Sequence, residues 1–164
     1  MTRDEFIQET IKMKGSIIHN VSLNEYHLNY IIAKYINHNK LLFGLALMNK
    51  LNFATRIEIF KEILNQTDND YNSRFPNLLK NLNELQSIRN VFAHSMSQVP
   101  EYDIYDENCD FDLIKTDKFF ASDFSRTKYN RQIHVNYLKK LKEILDELLM
   151  ISKVEEDSGI KINR

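Results

Sequence analysis

The sequence predicts an all-α fold, a helical bundle of four to five helices with a small β-hairpin inserted before the last helix. The 164 residues include only three Gly and two Pro, which is too few for a turn-rich β fold. Hydrophobic residues make up 43% of the chain and recur at helical spacing over most of it. We therefore expect a single domain over residues 1–151, with residues 95–129 as an irregular or hairpin excursion and residues 152–164 as a frayed tail.

The cysteine count, the distribution of apolar residues and the net charge limit which kinds of site this chain can contain and where it can be located. A single cysteine, Cys109, excludes an internal disulfide and a zinc site built from cysteines. No apolar run is long enough to span a bilayer, and the charged first residues differ from those of a signal peptide. We therefore expect a cytoplasmic protein with no membrane partner, no metal and no cofactor. Because the net charge is −1, any affinity for nucleic acid has to come from a local basic surface.

The first half of the chain predicts three helical segments. Residues 4–37 keep a helical repeat as one long helix or as two, since a capping-box pattern that starts at Ser22 fits a break. Residues 40–50 are almost all apolar, so we expect a short buried helix there. Asn52 is a suitable cap for a third helix, Phe53–Leu64, with an apolar face at Phe53, Ile57, Phe60 and Leu64.

A fourth helix, predicted from Pro76 to about Ala93, contains the residues around which we expect function to be organised. Its buried stripe is formed by Leu78, Leu82, Leu85 and Phe92. Arg89 falls within this stripe, and a half-buried guanidinium needs an anion or a set of acceptors because it stays charged. The opposite face is an uncharged polar stripe of Asn83, Ser87, Asn90 and His94.

The remaining chain predicts a small β element followed by the clearest helix. Residues 95–129 lose the helical repeat. Within them, Phe111–Lys115 fits a strand that pairs either with residues 118–121 or with residues 126–129. The last helix is predicted over Asn130–Ile151, where large apolar residues recur at helical spacing.

The segment Arg89-Asn90-Val91-Phe92-Ala93-His94 resembles the R-x4-6-H motif of the HEPN superfamily (higher eukaryotes and prokaryotes nucleotide-binding domains). In that family a polar residue follows the Arg, as Asn90 does here, and the motif lies at the end of a helix in a small all-α bundle. The resemblance covers residues 23–94 and, loosely, the last helix. Similar motif helices occur in uncharacterised or defence-related HEPN-like proteins and in mannitol-operon-repressor-like proteins. Toxins of the HEPN–nucleotidyltransferase pairs usually have Tyr at the position of Met96, which distinguishes this chain from them.

The resemblance implies a metal-independent endoribonuclease that leaves a 2′,3′-cyclic phosphate, as a toxin or phage-defence effector. His94 would act as general acid or base, since imidazole titrates near neutral pH. Arg89 would bind the scissile phosphate, and Asn90 would orient His94 or contact a phosphate oxygen. The resemblance also implies a symmetric homodimer with the two motif helices near the two-fold axis, and an antitoxin or regulatory protein as partner.

A basic cluster, an acidic segment and a non-catalytic alternative complete the interpretation of the sequence. The cluster of Arg126, Lys128, Tyr129 and Arg131 is a candidate RNA-binding surface, with the cations on the backbone and the aromatic ring on a base. The acidic residues 101–112 are candidates for covering such a basic surface. The alternative to catalysis is a dimeric regulatory or protein-binding module that uses the same helices.

Overall fold

The computed structural model describes residues 1–36, 40–67, 71–115 and 126–157. Within these residues the order of elements is five helices, three strands and a final helix. The helices are α1 (Arg3–Ile36), α2 (Leu41–Met48), α3 (Phe53–Thr67), α4 (Tyr71–Arg74), α5 (Leu78–Ala93) and α6 (Arg131–Asp157). The strands are β1 (Ser95–Gln98), β2 (Phe111–Lys115) and β3 (Arg126–Tyr129). The predicted all-α class with a small β insertion before the last helix is confirmed.

Helix α1 is one continuous helix, which settles the choice between one helix and two. It is capped at Thr2, whose hydroxyl accepts from the Glu5 backbone N–H at 3.2 Å while the Thr2 N–H donates to the Glu5 carboxylate at 2.7 Å. Hydrogen bonds from the backbone and from the side chain of Thr2 to the Glu5 carboxylate lower the pKa of Glu5. Ser22 lies inside the helix and does not start a new one.

The three strands form an antiparallel sheet in the order β1-β2-β3. Strand β2 pairs with β3 in the register Phe111↔Tyr129, which is one of the two predicted pairings. The other predicted partner, residues 118–121, lies outside the described residues. Strand β1 was not predicted, and it pairs with β2 through Ser95↔Lys115.

Alternation along the strands separates a buried face of the sheet from an exposed one. The buried face carries Phe111, Leu113 and Tyr129, each almost fully covered. The opposite face, which we call the outer sheet face, carries Met96, Gln98, Asp112, Ile114, Arg126 and Lys128, all exposed or half-buried. The two cations on this face, Arg126 and Lys128, therefore point away from the core beneath the sheet.

The chain divides into two compact units, each built from two stretches of sequence. The first comprises Met1–Val21 and Ser87–Leu141, and it contains the motif and the sheet. The second comprises the described parts of Ser22–Gln86 and Lys142–Arg164. The prediction of one domain over residues 1–151 stays a prediction. Among the described residues, none of the helices is both long enough and apolar enough to cross a membrane.

Most predicted apolar stripes are buried as expected. In α3 the buried residues include all four of the predicted face: Phe53, Ile57, Phe60 and Leu64. Asn52 caps this helix as predicted, with its side-chain oxygen accepting from the Thr55 N–H at 2.9 Å. Helix α6 extends six residues beyond the predicted end at Ile151, and residues 158–164 of the predicted frayed tail lie outside the described residues.

Helix α2 forms where predicted, but the prediction that it is buried is wrong. Leu42 is 82% exposed and Phe43 is 65% exposed, while Gly44 and Met48 are buried. A helix that packs against its neighbour along one stripe covers only that stripe. Composition reports how apolar the segment is, and it does not report how many sides of the helix are covered.

Candidate active site

The motif residues lie where a helix meets a strand. Arg89 and Asn90 are half-buried on the last turns of α5, and the helix ends at Ala93. His94 occupies the turn between α5 and β1, and its side chain is exposed. An uninterrupted helix would separate Arg89 and His94 by about 140° of rotation. Because the helix ends one residue earlier, the direction of His94 is set by the turn instead.

Two buried side chains fix the segment that carries the motif. Ile88 and Phe92 are almost fully covered. The Phe92 ring meets the ring of Tyr129 edge-on at a centroid separation of 5.1 Å and that of Tyr137 at 6.0 Å. The end of α5 is therefore held by aromatic packing against β3 and α6, while His94 stays on the surface.

A lysine distant in sequence contacts the backbone next to His94. The Lys14 ammonium, on α1, donates a hydrogen bond to the carbonyl oxygen of Ser95, the residue after His94. Burial lowers the pKa of Lys14. The Ser95 hydroxyl is buried and has no hydrogen-bond partner among the described residues. The contact spans 81 positions, so no local pattern in the sequence identifies Lys14.

A second polar cluster in the same unit joins β3, α6 and α1. His134 lies between two hydroxyls, with Nδ1 at 3.0 Å from the Tyr129 oxygen and Nε2 at 3.3 Å from the Ser16 oxygen. The Ser16 hydroxyl donates to the carbonyl oxygen of Met13 at 2.9 Å. Burial lowers the pKa of His134 and raises that of Tyr129. We call Tyr129, His134 and Ser16 the hydroxyl–imidazole chain.

The stacking role of Tyr129 stays a prediction, and the position of its side chain does not favour it. Its side chain is 0% exposed, lies on the buried face of the sheet and is bonded to His134. A ring enclosed on all sides has no face to offer a base. Arg126 and Lys128, by contrast, are exposed on the outer sheet face, as a backbone-binding role requires.

Residues of the acidic segment contact two of the predicted RNA-binding cations. Arg131 forms an ion pair with Glu107, and Lys128 lies 3.9 Å from the Asp110 carboxylate. Asp110 also accepts a hydrogen bond at 2.9 Å from the side chain of Asn130. These pairs are exposed, and ion pairs of that kind contribute little to stability. Their effect is local: the two carboxylates partly compensate the positive charge of β3 and of the start of α6.

A cleft of about 780 Å³ lies beside Arg131 and the acidic segment. Its apolar lining includes Phe6, Tyr105 and Phe111, and carboxylates from α1 and from residues 106–107 stand around it. Arg89, Asn90 and His94 are not among its lining residues. Within the described part of the chain, no group of three or more His, Cys, Asp or Glu side chains is arranged to hold a metal ion.

The chain matches none of the known family models, curated proteins or solved structures with which it was compared. The resemblance to HEPN proteins therefore rests on the sequence alone.

Proposed function

We propose that this protein is a metal-independent endoribonuclease of the HEPN type, with His94, Arg89 and Asn90 as its catalytic residues. The observation that carries the proposal is the position of His94, exposed in the turn directly after the helix that carries Arg89 and Asn90. A general acid or base has to reach the substrate, and an exposed imidazole at the end of a packed helix meets that requirement.

The reaction uses the nucleophile that RNA itself supplies. A base takes the proton of the 2′-hydroxyl, and the oxygen attacks the adjacent phosphorus. The bond from phosphorus to the 5′-oxygen breaks, and an acid protonates the leaving oxygen. The products are a 2′,3′-cyclic phosphate and a 5′-hydroxyl. One imidazole serves as base or as acid, and a second copy of His94 across a two-fold axis supplies the other role.

The other two residues act on charge and orientation. The Arg89 guanidinium stays protonated and offers two parallel N–H donors to the non-bridging phosphate oxygens, which gain negative charge in the transition state. Asn90 contacts the same phosphate or orients His94. Lys14, bonded to the Ser95 carbonyl, holds the backbone next to His94 and adds positive charge near it.

The test is RNA cleavage in EDTA by the wild type and by His94→Ala and Arg89→Ala. We expect kcat/KM to fall by about 100-fold or more in each, because general acid–base catalysis and oxyanion stabilisation each contribute on that scale. Matched controls are His19→Ala and Arg74→Ala, which remove an exposed His and an exposed Arg outside the motif. The products should have cyclic-phosphate ends, and an all-DNA substrate should stay intact.

The alternative is a non-catalytic dimeric regulatory or protein-binding module. It would be favoured if the folded wild type cleaves neither structured nor single-stranded RNA. It would also be favoured if a trace activity persists unchanged in His94→Ala. Light scattering and circular dichroism of every variant separate a lost catalytic group from a lost fold.

A further inference from the structure

The cleft of about 780 Å³ beside Arg131 lies wholly within the unit that contains the sheet. One wall is the first three turns of α1, and the other is the loop between β1 and β2, over residues 99–110. Its floor is apolar and consists of side chains that are at most 9% exposed: Phe6, Met13, Tyr105 and Phe111. The three motif residues do not line it. The cleft is therefore a candidate binding site separate from the proposed catalytic residues.

Ring packing and hydrogen bonds hold the loop in place beside α1. The Tyr105 ring packs against the Phe6 ring at a centroid separation of 5.5 Å. The Tyr105 hydroxyl donates to the carbonyl oxygen of Pro100 and accepts from the Tyr102 N–H, both at 3.2 Å. The Tyr102 hydroxyl donates to the carbonyl oxygen of Asp110 at 2.8 Å. Because the chain makes these contacts by itself, the cleft is largely formed before a ligand binds, as is usual for small-molecule sites.

Carboxylates stand on both walls of the cleft. The acidic side chains that line it are Asp4, Glu5 and Glu9 on α1 and Asp106 and Glu107 on the loop. The basic groups are the side chains of Lys12 and Arg131 and the Met1 ammonium, which donates to the carbonyl oxygen of Tyr105 at 2.9 Å. Five negative and three positive charges leave a net charge of −2 around the cleft.

One carboxylate on each wall has no cationic partner. The two basic side chains are each paired with an acidic one, Lys12 with Glu9 at 3.7 Å and Arg131 with Glu107. In the part of the chain that the structure describes, no cation pairs with Asp4 or Asp106. Both of these residues are exposed at the rim, so a cationic ligand on the apolar floor can reach a carboxylate on either side.

We propose that this cleft binds a linear polyamine, an organic cation whose ammonium groups are joined by short chains of methylene groups. The apolar floor covers the methylene groups, and Asp4 and Asp106 each attract an ammonium group. This assignment goes beyond the proposed ribonuclease activity and does not depend on it.

The same features disfavour other classes of ligand. A nucleotide or a strand of RNA brings further negative charge to a cleft that is already negative. A bare metal ion makes no use of the apolar floor, and among the described residues no His, Cys, Asp and Glu side chains are grouped to hold one. A neutral apolar ligand leaves the unpaired carboxylates without a counter-charge.

The first test is calorimetric titration of the full-length protein at low salt with diamines from 1,3-diaminopropane to 1,7-diaminoheptane, and with spermidine. We expect the affinity to rise by about two- to fourfold for each added methylene group, because each one that is covered leaves water. The control ligand is 1,7-heptanediol, which has the same chain without the charges and should not bind measurably. Added salt should weaken the binding of every diamine.

The second test removes the two unpaired carboxylates. Asp4→Asn combined with Asp106→Asn should raise the dissociation constant of spermidine at least about fivefold. Circular dichroism should stay unchanged, because both side chains are exposed and asparagine keeps the oxygen with which Asp106 accepts from the Asn108 N–H. The matched control is Glu101→Gln combined with Asp103→Asn, which makes the same change in net charge outside the cleft. It should change the dissociation constant by less than twofold.

Several results would overturn the proposal. They are a failure of every diamine to bind, an affinity that does not depend on chain length, and an equal loss of affinity in the two double variants. Displacement of spermidine by an equal concentration of Mg²⁺ would indicate a general cation site instead. An oligolysine peptide that binds where polyamines do not would assign the cleft to a protein partner. No readout involves RNA cleavage, so this proposal and the ribonuclease proposal fail separately.

Discussion

The hydroxyl–imidazole chain has one consistent assignment of donors and acceptors if His134 is neutral. The Ser16 proton goes to the Met13 carbonyl, so the Ser16 oxygen accepts from Nε2–H of His134. Nδ1 is then an acceptor, and the Tyr129 hydroxyl donates to it. The raised pKa of Tyr129 keeps that proton in place at neutral pH. Protonation of His134 would place a proton on Nδ1, so the Tyr129 hydroxyl would have to rotate and accept, and its own proton would lose this acceptor.

The first prediction concerns the pH dependence of stability. Burial lowers the pKa of His134, Arg131 lowers it further, and Glu9 partly offsets both. The unfolded chain therefore binds a proton near pH 6.5, while the folded chain resists it. The stability due to neutral His134 is present above pH 6.5 and is lost as the pH falls. We expect the free energy of unfolding in urea to be lower at pH 5.5 than at pH 7.5.

His134→Gln should make this decrease smaller, since glutamine keeps a donor and an acceptor but does not titrate. His19→Gln is the matched control, because His19 is exposed. His27, whose pKa burial also lowers, accounts for part of the remaining decrease. An unchanged pH dependence in His134→Gln would contradict the neutral assignment.

At the scale of residues, the sequence predicted which residues form the motif. It could not predict which residues of the basic cluster lie on the exposed face of the sheet and which on the buried face. Arg126, Lys128 and Tyr129 lie within four residues of one strand. Arg126 and Lys128 are exposed and Tyr129 is buried, because successive strand residues alternate between faces. The register that decides which face is buried comes from pairing with β2. Lys14 was missed for a related reason, since its contact with Ser95 exists only in the folded chain.

The two glycines in the described helices illustrate how packing overrides helix propensity. Alanine favours a helix over glycine by about 1 kcal/mol at either position. An added Cβ at Gly15 meets no atom within 4 Å. At Gly44 an added Cβ would stand 2.8 Å from the Cβ of Ala33 and 3.0 Å from its Cα. Ala33 is a fully buried residue of α1, and its Cα is part of the helix backbone.

The second prediction is that Gly15→Ala and Gly44→Ala change stability in opposite directions. Gly15→Ala should raise the free energy of unfolding by about 0.5–1 kcal/mol, through helix propensity alone. Gly44→Ala should lower it by about 1–3 kcal/mol, the usual range for overpacking, because the clash exceeds the propensity gain. Urea denaturation of both variants measures the difference. A stabilised Gly44→Ala would mean that α2 moves away from α1 without cost.

Periodicity predicted the elements that have a strong stripe and missed those made by pairing. Helices α3, α5 and α6 each bury a repeating apolar row, so their existence and inner face follow from spacing. Strand β1, with the sequence Ser-Met-Ser-Gln, has no apolar alternation and forms through its hydrogen bonds to β2. The exposure of α2 was unpredictable because an entirely apolar helix gives no stripe to interpret.

At the scale of the whole molecule, a net charge of −1 gives no general attraction for RNA. Affinity then depends on cations placed together, such as Arg126 and Lys128 on the outer sheet face. Glu107 and Asp110 stand next to Arg131 and Lys128 and compete with phosphate for them. If the protein binds RNA as we propose, we expect the acidic segment to weaken that binding by occupying these cations.

The third prediction is that Glu107→Gln combined with Asp110→Asn tightens RNA binding and steepens its dependence on salt. The net charge changes from −1 to +1, since two negative charges are removed. Each additional phosphate contact steepens the log–log salt slope by about 0.7 for a single strand. Fluorescence anisotropy with a labelled RNA at several salt concentrations measures both effects, with His94→Ala as background if the wild type cleaves its ligand.

The matched control is Glu101→Gln combined with Asp103→Asn, which makes the same change in net charge in the same segment. Glu101 and Asp103 are exposed, and neither is the carboxylate paired with Arg131 or Lys128. If local competition for the cations governs binding, the first pair of substitutions should tighten it several-fold more than the second. Equal effects would show that RNA affinity depends only on the net charge of the protein. That result would contradict the assignment of the outer sheet face as the RNA-binding surface.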